Sequence, residues 1–571
     1  MDINGRWVIV TNMLDILNNK KLKLYLPLLL LTISTFAVFW SALGHDFLIN
    51  WDDRQYILEN PAIRGLTFDH LKSVFTTFYI GNYAPLHLIS YMLDYEIWGL
   101  RASGFIFTNI LIHTFNGLLF FLLLKRLAGK KIWILPAALI FLLHPVQVES
   151  VVWASQRKTL LAMLFFLLGL YLYTQYKEKD HKYGIWFYLL SNAAFFLALL
   201  AKSVVVIFPL VLILFDLCYL EKRDLKALLV DKIPFIIVAA VFSFVAVKSQ
   251  TSQFHGGETS YHGGSPYTTL LTMLPVLVDY LRMVIWPARL SAYYDVPVKS
   301  AIDLEVLSAL FLCVILFIAG IILYRRRRDV FFWFALFFVA LIPVSQIVPI
   351  VTLMNDRYLY FPMLGAAALL GVVFFGDVKG SGGLKSPKRI ILSTLFLIMI
   401  VSFTSVTLQR IGVWRNSATL WGDAVQKAPK LALTHDCFGE GLMQQGRIDE
   451  ALSQFRIALS LEPDRAAPHL KSEERLSIAN THNNLGTAYG IKGMTDAAIE
   501  QFTIAIQLNP DFANAYFNLG NGLMHKGLVA QALSSFEAAV RLEPDNPAFV
   551  ANLRQTRGIF DSESGRIPPG R

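Results

Sequence analysis

Two adjacent carboxylates stand in a short aromatic segment that follows the first long apolar run of the chain. Asp52 and Asp53 lie between Trp51 and Arg54 in the segment NWDDRQY. Adjacent carboxylates repel each other, which raises the pKa of one of them toward the range that a general base needs. The pair therefore predicts a general base or a metal ligand. The alternative is structural: one Asp caps a helix and the other is solvated.

A second group of candidates surrounds the segment HPVQVES. Pro145 interrupts an apolar run, and Glu149 would be costly if it faced lipid. We therefore expect His144 and Glu149 to face a polar cavity, where they would shape a ligand pocket or bind a metal ion. Tyr294, in a long loop between apolar runs, is a further candidate for this pocket. The histidines of that loop lack metal-ligand spacing, so no zinc site is predicted.

Three basic residues lie beside apolar runs: Arg157, Lys202 and Arg357. A guanidinium group suits phosphate because its donors form a planar fork. Together these three cations could neutralise a phosphate at the membrane surface. Two alternatives stay open: Arg157 could snorkel to the lipid interface, and Arg357 could pair with its neighbour Asp356.

The composition indicates that a membrane positions these residues. The 571 residues are 55% hydrophobic and only 16% charged, with a mean hydropathy of +0.50. Apolar runs of about 20 residues, the length that crosses a bilayer, recur up to position 409. A cytosolic enzyme, a disordered scaffold and a disulfide-rich secreted protein are thereby excluded. The three cysteines offer neither a disulfide framework nor metal-ligand spacing.

The apolar runs predict eleven spans, with the segment 1–23 in the cytoplasm and no cleaved signal peptide. The predicted inner loops are basic, as the positive-inside rule requires; one of them holds Arg325 to Arg328. Membrane topology thus explains the net charge of +10 without a nucleic-acid partner. The segment 268–287 is interpreted as an interfacial helix. The predicted spans are 24–43, 104–124, 133–148, 158–175, 185–201, 203–220, 233–248, 304–324, 330–350, 358–376 and 389–409.

This topology gathers the candidate residues on the outer side of the membrane and also places the carboxyl-terminal region there. The sequence contains no Walker loop, no GxGxxG after a strand and no GxSxG elbow. Nucleotide-driven transport is therefore disfavoured.

A 34-residue period follows the last span. The pattern from Leu485 to Pro510 returns from Leu519 to Pro544, and an earlier copy starts at Phe438. This spacing of small residues, aromatics and proline is that of tetratricopeptide repeats, of which about three form a stable solenoid. The predicted organisation is a transmembrane domain 24–409, a half-repeat linker 410–431, repeats 432–465, 479–512 and 513–546, an insertion 466–478 and a tail 547–571.

Asn484 and Asn518 occupy the same position in two repeats. They could hold the backbone of an extended peptide in the concave groove of the solenoid. The alternative is a pair of ordinary polar residues on a helix surface. The predicted fold is all-α: a polytopic membrane helix bundle followed by a tetratricopeptide α-solenoid.

Four membrane motifs and the repeats together resemble the transmembrane and tetratricopeptide repeat-containing proteins, a branch of the GT-C glycosyltransferase superfamily. The resemblance covers nearly the whole chain. The motifs are Trp51-Asp52-Asp53 with Asn60-Pro61 downstream, Asn82-Tyr83-Ala84-Pro85-Leu86, the turn from His144 to Arg157, and Asp356-Arg357-Tyr358-Leu359-Tyr360.

The resemblance implies transfer of a sugar, mannose or another hexose, from a polyprenyl-phosphate donor to a protein hydroxyl on the outer face. An acidic residue of the first outer loop serves as base in such enzymes, which corresponds to Asp52 or Asp53 here. Arg157, Lys202 and Arg357 would hold the donor phosphate, and His144, Glu149 and Tyr294 the sugar. Ser203 departs from the family, where Lys-Glu is frequent at this motif.

The cofactor stays open, with a divalent cation as one possibility. The protein would lie in the bacterial inner membrane with periplasmic repeats, or in the endoplasmic reticulum. Two other functions compete: a non-catalytic scaffold whose repeats recruit protein partners, and a flippase for lipid-linked sugars. A scaffold needs only one span, and a flippase needs polar residues at mid-membrane depth.

Overall fold

The computed structural model describes residues 22–178, 183–220, 225–253, 261–376, 386–462 and 472–563. The described residues are helical and form no strand apart from an isolated bridge between Tyr79 and Asn82, which confirms the all-α prediction. The chain divides into two units, Met1–Arg415 and Asn416–Arg571. Nearly all of the predicted segment 1–23, part of the insertion 466–478 and the end of the tail 547–571 lie outside the described residues.

The first unit is a bundle that consists mainly of apolar helices. Its helices are α1 (Leu22–Phe39), α2 (Phe68–Thr76), α3 (Pro85–Trp98), α4 (Ala102–Ala128), α5 (Ile134–Leu143), α6 (Val148–Val152), α7 (Arg157–Tyr176), α8 (Gly184–Ala201), α9 (Phe208–Tyr219), α10 (Leu225–Val230), α11 (Ile233–Gln253), α12 (Pro266–Ile285), α13 (Leu304–Arg326), α14 (Arg328–Leu341), α15 (Met363–Phe375) and α16 (Pro387–Val413).

Within the described residues, eight helices are long and apolar enough to cross a membrane, or nine if the bent pair α5–α6 is one span. Seven of the eleven predicted runs form such helices. The runs 203–220, 330–350 and 358–376 instead form shorter helices, α9, α14 and α15. The protein is thus a multi-pass membrane protein in which three predicted spans are shorter helices followed or preceded by irregular backbone.

The predicted span 133–148 is broken at His144, where the two helical pieces meet at 49°. His144 is extended, with φ −71° and ψ 135°. The cause is Pro145, which lacks a backbone N–H and disfavours a helical conformation at the residue before it.

The helix α12 passes the same length and hydropathy test as the spans. Before its start, His262 Nε2 lies 2.9 Å from the carbonyl oxygen of Ile350. Near its end, the carbonyl oxygen of Val284 lies 3.0 Å from His144 Nε2. Ile350 and His144 both belong to segments predicted at the outer side, whereas a crossing helix of 20 residues would separate its ends by about 30 Å. The interfacial position of the segment 268–287 stays a prediction.

The loop that follows α1 is anchored on its own small core. Tyr56 and Ile57 pack with Tyr91 of α3 and Phe105 of α4, and all four side chains are buried. Burial of such aromatic and aliphatic side chains contributes roughly 1.5–3 kcal/mol each. This core fixes the segment that carries Asp52 and Asp53 against the bundle.

The second unit stacks helices in antiparallel pairs. Its helices are α17 (Ser417–Lys427), α18 (Ala432–Gln444), α19 (Ile448–Leu461), α20 (Ser472–Ile491), α21 (Thr495–Leu508), α22 (Ala513–His525), α23 (Val529–Leu542) and α24 (Pro547–Glu563).

Each repeat closes its core with a glycine on the first helix and a phenylalanine on the second. A Cβ atom at Gly486 would lie 2.7 Å from the Phe502 ring, and one at Gly520 would lie 2.7 Å from the Phe536 ring. The turn between the paired helices also repeats, because Gly493 and Gly527 have positive φ angles of 75° and 72°. The 34-residue period therefore has two physical causes: close helix approach and a left-handed turn.

Candidate functional site

Asp53 is a buried anchor of the first outer loop. Its Oδ2 accepts a hydrogen bond from the backbone N–H of Leu48 at 2.9 Å. Its Oδ1 accepts from the backbone N–H of Ser155 at 3.0 Å and from the Ser155 hydroxyl. Burial raises the pKa of the Asp53 carboxyl to about 6. Because both oxygens are occupied by groups of the protein, Asp53 ties the loop to the turn before α7.

Asp52 has a different environment from its neighbour. Its side chain is 26% exposed, and its Oδ2 lies 3.7 Å from Lys158 Nζ. The ammonium group of Lys158 also lies 4.8 Å from the centre of the Tyr56 ring. Asp52 is therefore the member of the pair that is accessible from outside the protein.

Arg157 is buried, and its donors are used inside the protein. Its Nη2 contacts Asp94 Oδ2 at 2.5 Å, and its Nε donates to Asn109 Oδ1 at 2.8 Å. Its Nη2 also donates to the carbonyl oxygen of Phe105 at 2.7 Å. This geometry corrects both expectations for Arg157, because a guanidinium with an exposed fraction of zero neither snorkels nor meets a donor phosphate.

Arg357 pairs with Glu149 and not with Asp356. Glu149 accepts hydrogen bonds from the backbone N–H of Arg357 at 2.8 Å and from its guanidinium group. Asp356 instead accepts from the Tyr294 hydroxyl and lies 3.5 Å from Arg410 Nη2. The alternative of an Asp356–Arg357 pair is therefore wrong. Glu149 and Tyr294 thus bond to the neighbouring residues Arg357 and Asp356, and their place in a sugar pocket stays a prediction.

His144 likewise has a structural environment. It is buried, with Nε2 3.0 Å from the carbonyl oxygen of Val284 and Nδ1 accepting from the backbone N–H of Val146 at 3.3 Å. Both ring nitrogens are thus occupied at the helix break. Among the described residues, no three His, Cys, Asp or Glu side chains come together as a metal site, so His144 and Glu149 are not joined by the further ligand that a metal site needs.

Lys202 and Lys158 line a small cavity, here called the outer cavity, with Asn82, Tyr83 and Ser203. It holds about 20 Å³, enough for one water-sized group. Lys202 Nζ donates to the Thr159 hydroxyl at 2.8 Å.

Burial, followed by the charges of Lys158 and Arg357, lowers the pKa of Lys202, while the charges of Glu149 and Asp52 act in the opposite direction. The structure therefore brings Asp52, Lys158, Lys202 and Arg357 into one electrostatic group, while Arg157 lies outside it. Lys158 was missed because it follows Arg157 directly, and the sequence does not show which of the two adjacent basic side chains faces Asp52. The side chain of Arg157, the residue before Lys158, points in another direction, because successive residues of a helix face different directions.

Three indole rings border this group. Trp51 lies 4.3 Å from Trp153 and 6.0 Å from Trp414 between ring centres, and Arg357 lies 5.6 Å from the Trp153 ring centre. Trp153 and Trp414 were also missed, because nothing in their sequence neighbourhood predicts that α16 ends beside the first outer loop.

The second unit places the two candidate asparagines in different environments. Asn484 donates to Asp436 Oδ2 at 3.2 Å and to Glu440 Oε1 at 2.8 Å, whereas Asn518 donates to Asn483 Oδ1 at 2.9 Å. Burial, followed by the charge of Glu440, raises the pKa of Asp436 to about 8. Each amide donates to a neighbouring repeat helix, but the acceptors differ. The two asparagines are therefore not equivalent peptide-binding positions.

The fold and these groups define a class: multi-pass membrane proteins that carry a tetratricopeptide solenoid. Residues 486–527 match the family model described as TPR repeat. Residues 513–546 match the model described as tetratricopeptide repeat.

Curated relatives extend the similarity into the membrane unit. The chain is 24% identical over 456 residues to "Protein O-mannosyl-transferase F38B6.6" of Caenorhabditis elegans, covering 76% of this chain and 63% of that protein. It is 22% identical over 479 residues to "Protein O-mannosyl-transferase TMTC3" of Homo sapiens, covering 76% of this chain and 51% of that protein. The mouse protein TMTC4 is 26% identical over 444 residues, covering 66% of this chain and 57% of that protein.

The chain thus spans between about half and 63% of the length of these relatives. The expected resemblance to transmembrane and tetratricopeptide repeat-containing proteins is confirmed.

Proposed function

We propose that this chain is a membrane glycosyltransferase. It moves a hexose, such as mannose, from a polyprenyl-phosphate carrier to a protein hydroxyl on the periplasmic or lumenal side. The names of the relatives, each a protein O-mannosyl-transferase, support the reaction type. The observation that carries the proposal is the partly exposed carboxylate of Asp52 at 3.7 Å from Lys158, with the charges of Asp52, Lys158 and Arg357 all acting on Lys202.

In the proposed reaction, Asp52 accepts the proton of the acceptor hydroxyl. The hydroxyl oxygen forms the new bond to the anomeric carbon, while the bond from that carbon to the carrier phosphate breaks. The electron pair of the broken bond stays on the phosphate, which leaves as polyprenyl phosphate with an additional negative charge. Preorganised charges that stabilise such a leaving group contribute about 10²–10³-fold each to the rate.

The cations have distinct roles in this proposal. Lys158 and Lys202 line the outer cavity, which has room for one water-sized group, and they bind one oxygen of the donor phosphate there. Arg357 lies beside them in a position fixed by Glu149. Asp53 and Arg157 are positioning residues, because their polar atoms bond to groups of the protein itself.

The repeats hold the protein acceptor in this proposal. Asp436, Glu440 and Asn484 form a polar group across neighbouring repeats, and Asn518 continues it in the next repeat. Delivery of an extended acceptor segment from this polar group to Asp52 requires that the repeats and the first outer loop lie on the same side of the membrane.

The substitution Asp52→Asn tests the base. It removes the proton acceptor but keeps the size of the side chain, so we expect transfer from a labelled polyprenyl-phosphate hexose to fall at least about 10²-fold. The matched control is Asp46→Asn in the same loop, because Asp46 is exposed. Membrane insertion and melting temperature should stay unchanged in both variants.

Full transfer by the Asp52→Asn variant would contradict the proposed base. If the wild-type chain binds acceptor peptides but transfers no sugar from any of the polyprenyl-phosphate hexoses tested, the protein is a scaffold. Translocation of the carrier without a new glycosidic bond would instead identify a flippase.

A further inference from the structure

An apolar cavity of about 870 Å³ lies between α9, α12, α13 and α14 and shares no residue with the outer cavity. Phe317 and Gly320 of α13 and Phe334 and Phe338 of α14 form part of its wall. Phe317 is 71% exposed although it lines the cavity. A Cβ atom at Gly320 would lie 3.1 Å from the Phe334 ring, so the absence of a side chain there lets the two helices approach at the back of the cavity.

One end of this cavity is cationic. Tyr324 and Arg325 belong to its lining, and the guanidinium carbon of Arg328 lies 5.3 Å from the centre of the Tyr324 ring. Arg327, between them in sequence, pairs with Asp329. In the part of the chain that the structure describes, neither Arg325 nor Arg328 takes part in an ion pair. Within the described ranges, two positive charges without an acidic partner thus stand at Tyr324, at one end of the apolar cavity.

The depth of the cavity corresponds to one leaflet. From Cys313 to Arg325 its wall follows α13 for 12 residues, which is about 18 Å at the helical rise of about 1.5 Å per residue. The hydrocarbon of one leaflet is about half of 30 Å. A single acyl chain fits this depth, whereas a polyprenyl chain is several times longer.

We propose that this cavity binds an anionic glycerophospholipid of the inner leaflet. The lipid phosphate lies between Arg325 and Arg328, and one acyl chain extends along Phe317, Phe334 and Phe338. Basic pockets between membrane helices on the cytoplasmic side suit anionic headgroups, and the arginine loop is predicted on that side. The site is independent of the proposed transferase reaction.

The test uses the purified full chain in detergent, titrated with phosphatidylglycerol or with phosphatidylcholine of identical acyl chains. We expect phosphatidylglycerol to raise the melting temperature in a saturable manner and phosphatidylcholine to have no comparable effect. Replacement of Arg325 and Arg328 together by Gln should weaken the apparent affinity for phosphatidylglycerol about 25-fold, or about fivefold per charge. The matched control is Arg326→Gln, because Arg326 is exposed and lies outside the cavity lining.

A second variant tests the acyl-chain half of the site without changing its charge. Ala335→Trp adds an indole to the cavity wall and should abolish the phosphatidylglycerol effect, with fewer lipids retained in native mass spectrometry. Equal stabilisation by phosphatidylcholine, or an unchanged affinity in both the arginine variant and Ala335→Trp, would overturn the proposal. Tighter binding of a polyprenyl phosphate than of phosphatidylglycerol would overturn it in favour of a carrier tail.

Discussion

Neighbouring side chains of equal charge have different partners in the outer part of the membrane unit. Asp53 and Arg157 are buried and bonded to the protein, whereas Asp52 and Lys158 contact each other at 3.7 Å beside the outer cavity. Removing one partner of a buried charge pair leaves an uncompensated charge, which costs about 3–5 kcal/mol. Lys158 is also buried, but removing it leaves the carboxylate of Asp52, which is 26% exposed and can be solvated, so the effect on stability is smaller.

The variants Arg157→Gln and Lys158→Gln should therefore fail in different ways. Arg157→Gln leaves the carboxylate of Asp94 without its partner, so we expect loss of monodisperse protein after purification. Lys158→Gln should keep the melting temperature within a few degrees but lower sugar transfer by about 10²-fold. Size-exclusion profiles and transfer assays on the two proteins distinguish these outcomes. A well-folded, inactive Arg157→Gln protein would instead show that Arg157 acts on the donor.

Asp436 makes the stability of the second unit depend on pH. Burial and the charge of Glu440 raise its pKa to about 8. The Asp436 carboxyl of the folded chain therefore keeps its proton up to this pH, whereas the same carboxyl in the unfolded chain loses it above a pH of about 4. The free energy of unfolding then decreases as the pH rises toward 8. We expect the melting temperature of this unit to fall by several degrees between pH 5 and pH 8.

Asp436→Asn, which resembles the protonated side chain, should flatten this pH dependence. Asp511→Asn is the control, because Asp511 is exposed. Fluorescence-detected melting at four pH values checks both variants. An unchanged slope in Asp436→Asn would assign the dependence to another group.

The helix pairs of the second unit are held together by glycine–phenylalanine contacts. A Cβ atom at Gly486 would lie 2.7 Å from the Phe502 ring, whereas one at Gly490 in the same helix would lie 3.9 Å from its nearest neighbour, Ala498. The first distance requires the ring or the helix to move, and the second is an ordinary contact. The same substitution therefore has opposite consequences four residues apart.

We expect Gly486→Ala to destabilise the second unit by about 1–3 kcal/mol through overpacking. Gly490→Ala should be neutral or stabilising by up to about 1 kcal/mol, because alanine favours a helix interior over glycine. Chemical denaturation of both variants measures the difference. Equal effects would show that the two helices can separate at Gly486 without loss.

Much of the element structure was predictable because apolar runs and the 34-residue period are local signals. The break at His144 follows from Pro145 and was expected as a disturbance of the run. The different environments of Asp52 and Asp53 were not predictable, because Ser155 lies 102 residues from Asp53 in sequence. The same holds for Glu149 and Arg357, which are 208 residues apart; only the folded bundle selects these partners.

For the whole molecule, the proposed function requires the first outer loop and the repeats to lie in one compartment. Cysteines introduced at the exposed positions Asp46 and Ser534 should both react with an impermeant maleimide added from outside. A cysteine at exposed Lys130, in a predicted inner loop, should react only after the membrane is opened. The three native cysteines are replaced by serine in all variants, and this cysteine-free chain measures the background labelling. Labelling of Asp46→Cys and Ser534→Cys from opposite sides would rule out acceptor delivery by the repeats.

The self-contained core of each repeat has an evolutionary consequence. Since the glycine–phenylalanine contact and the left-handed turn recur inside every 34-residue copy, a duplication or deletion of whole copies leaves the remaining interfaces intact. The solenoid can therefore lengthen or shorten by whole repeats, and its length can change independently of the membrane unit. Lineages that gain copies would acquire a longer reach along extended polypeptides while the membrane-embedded residues stay unaltered.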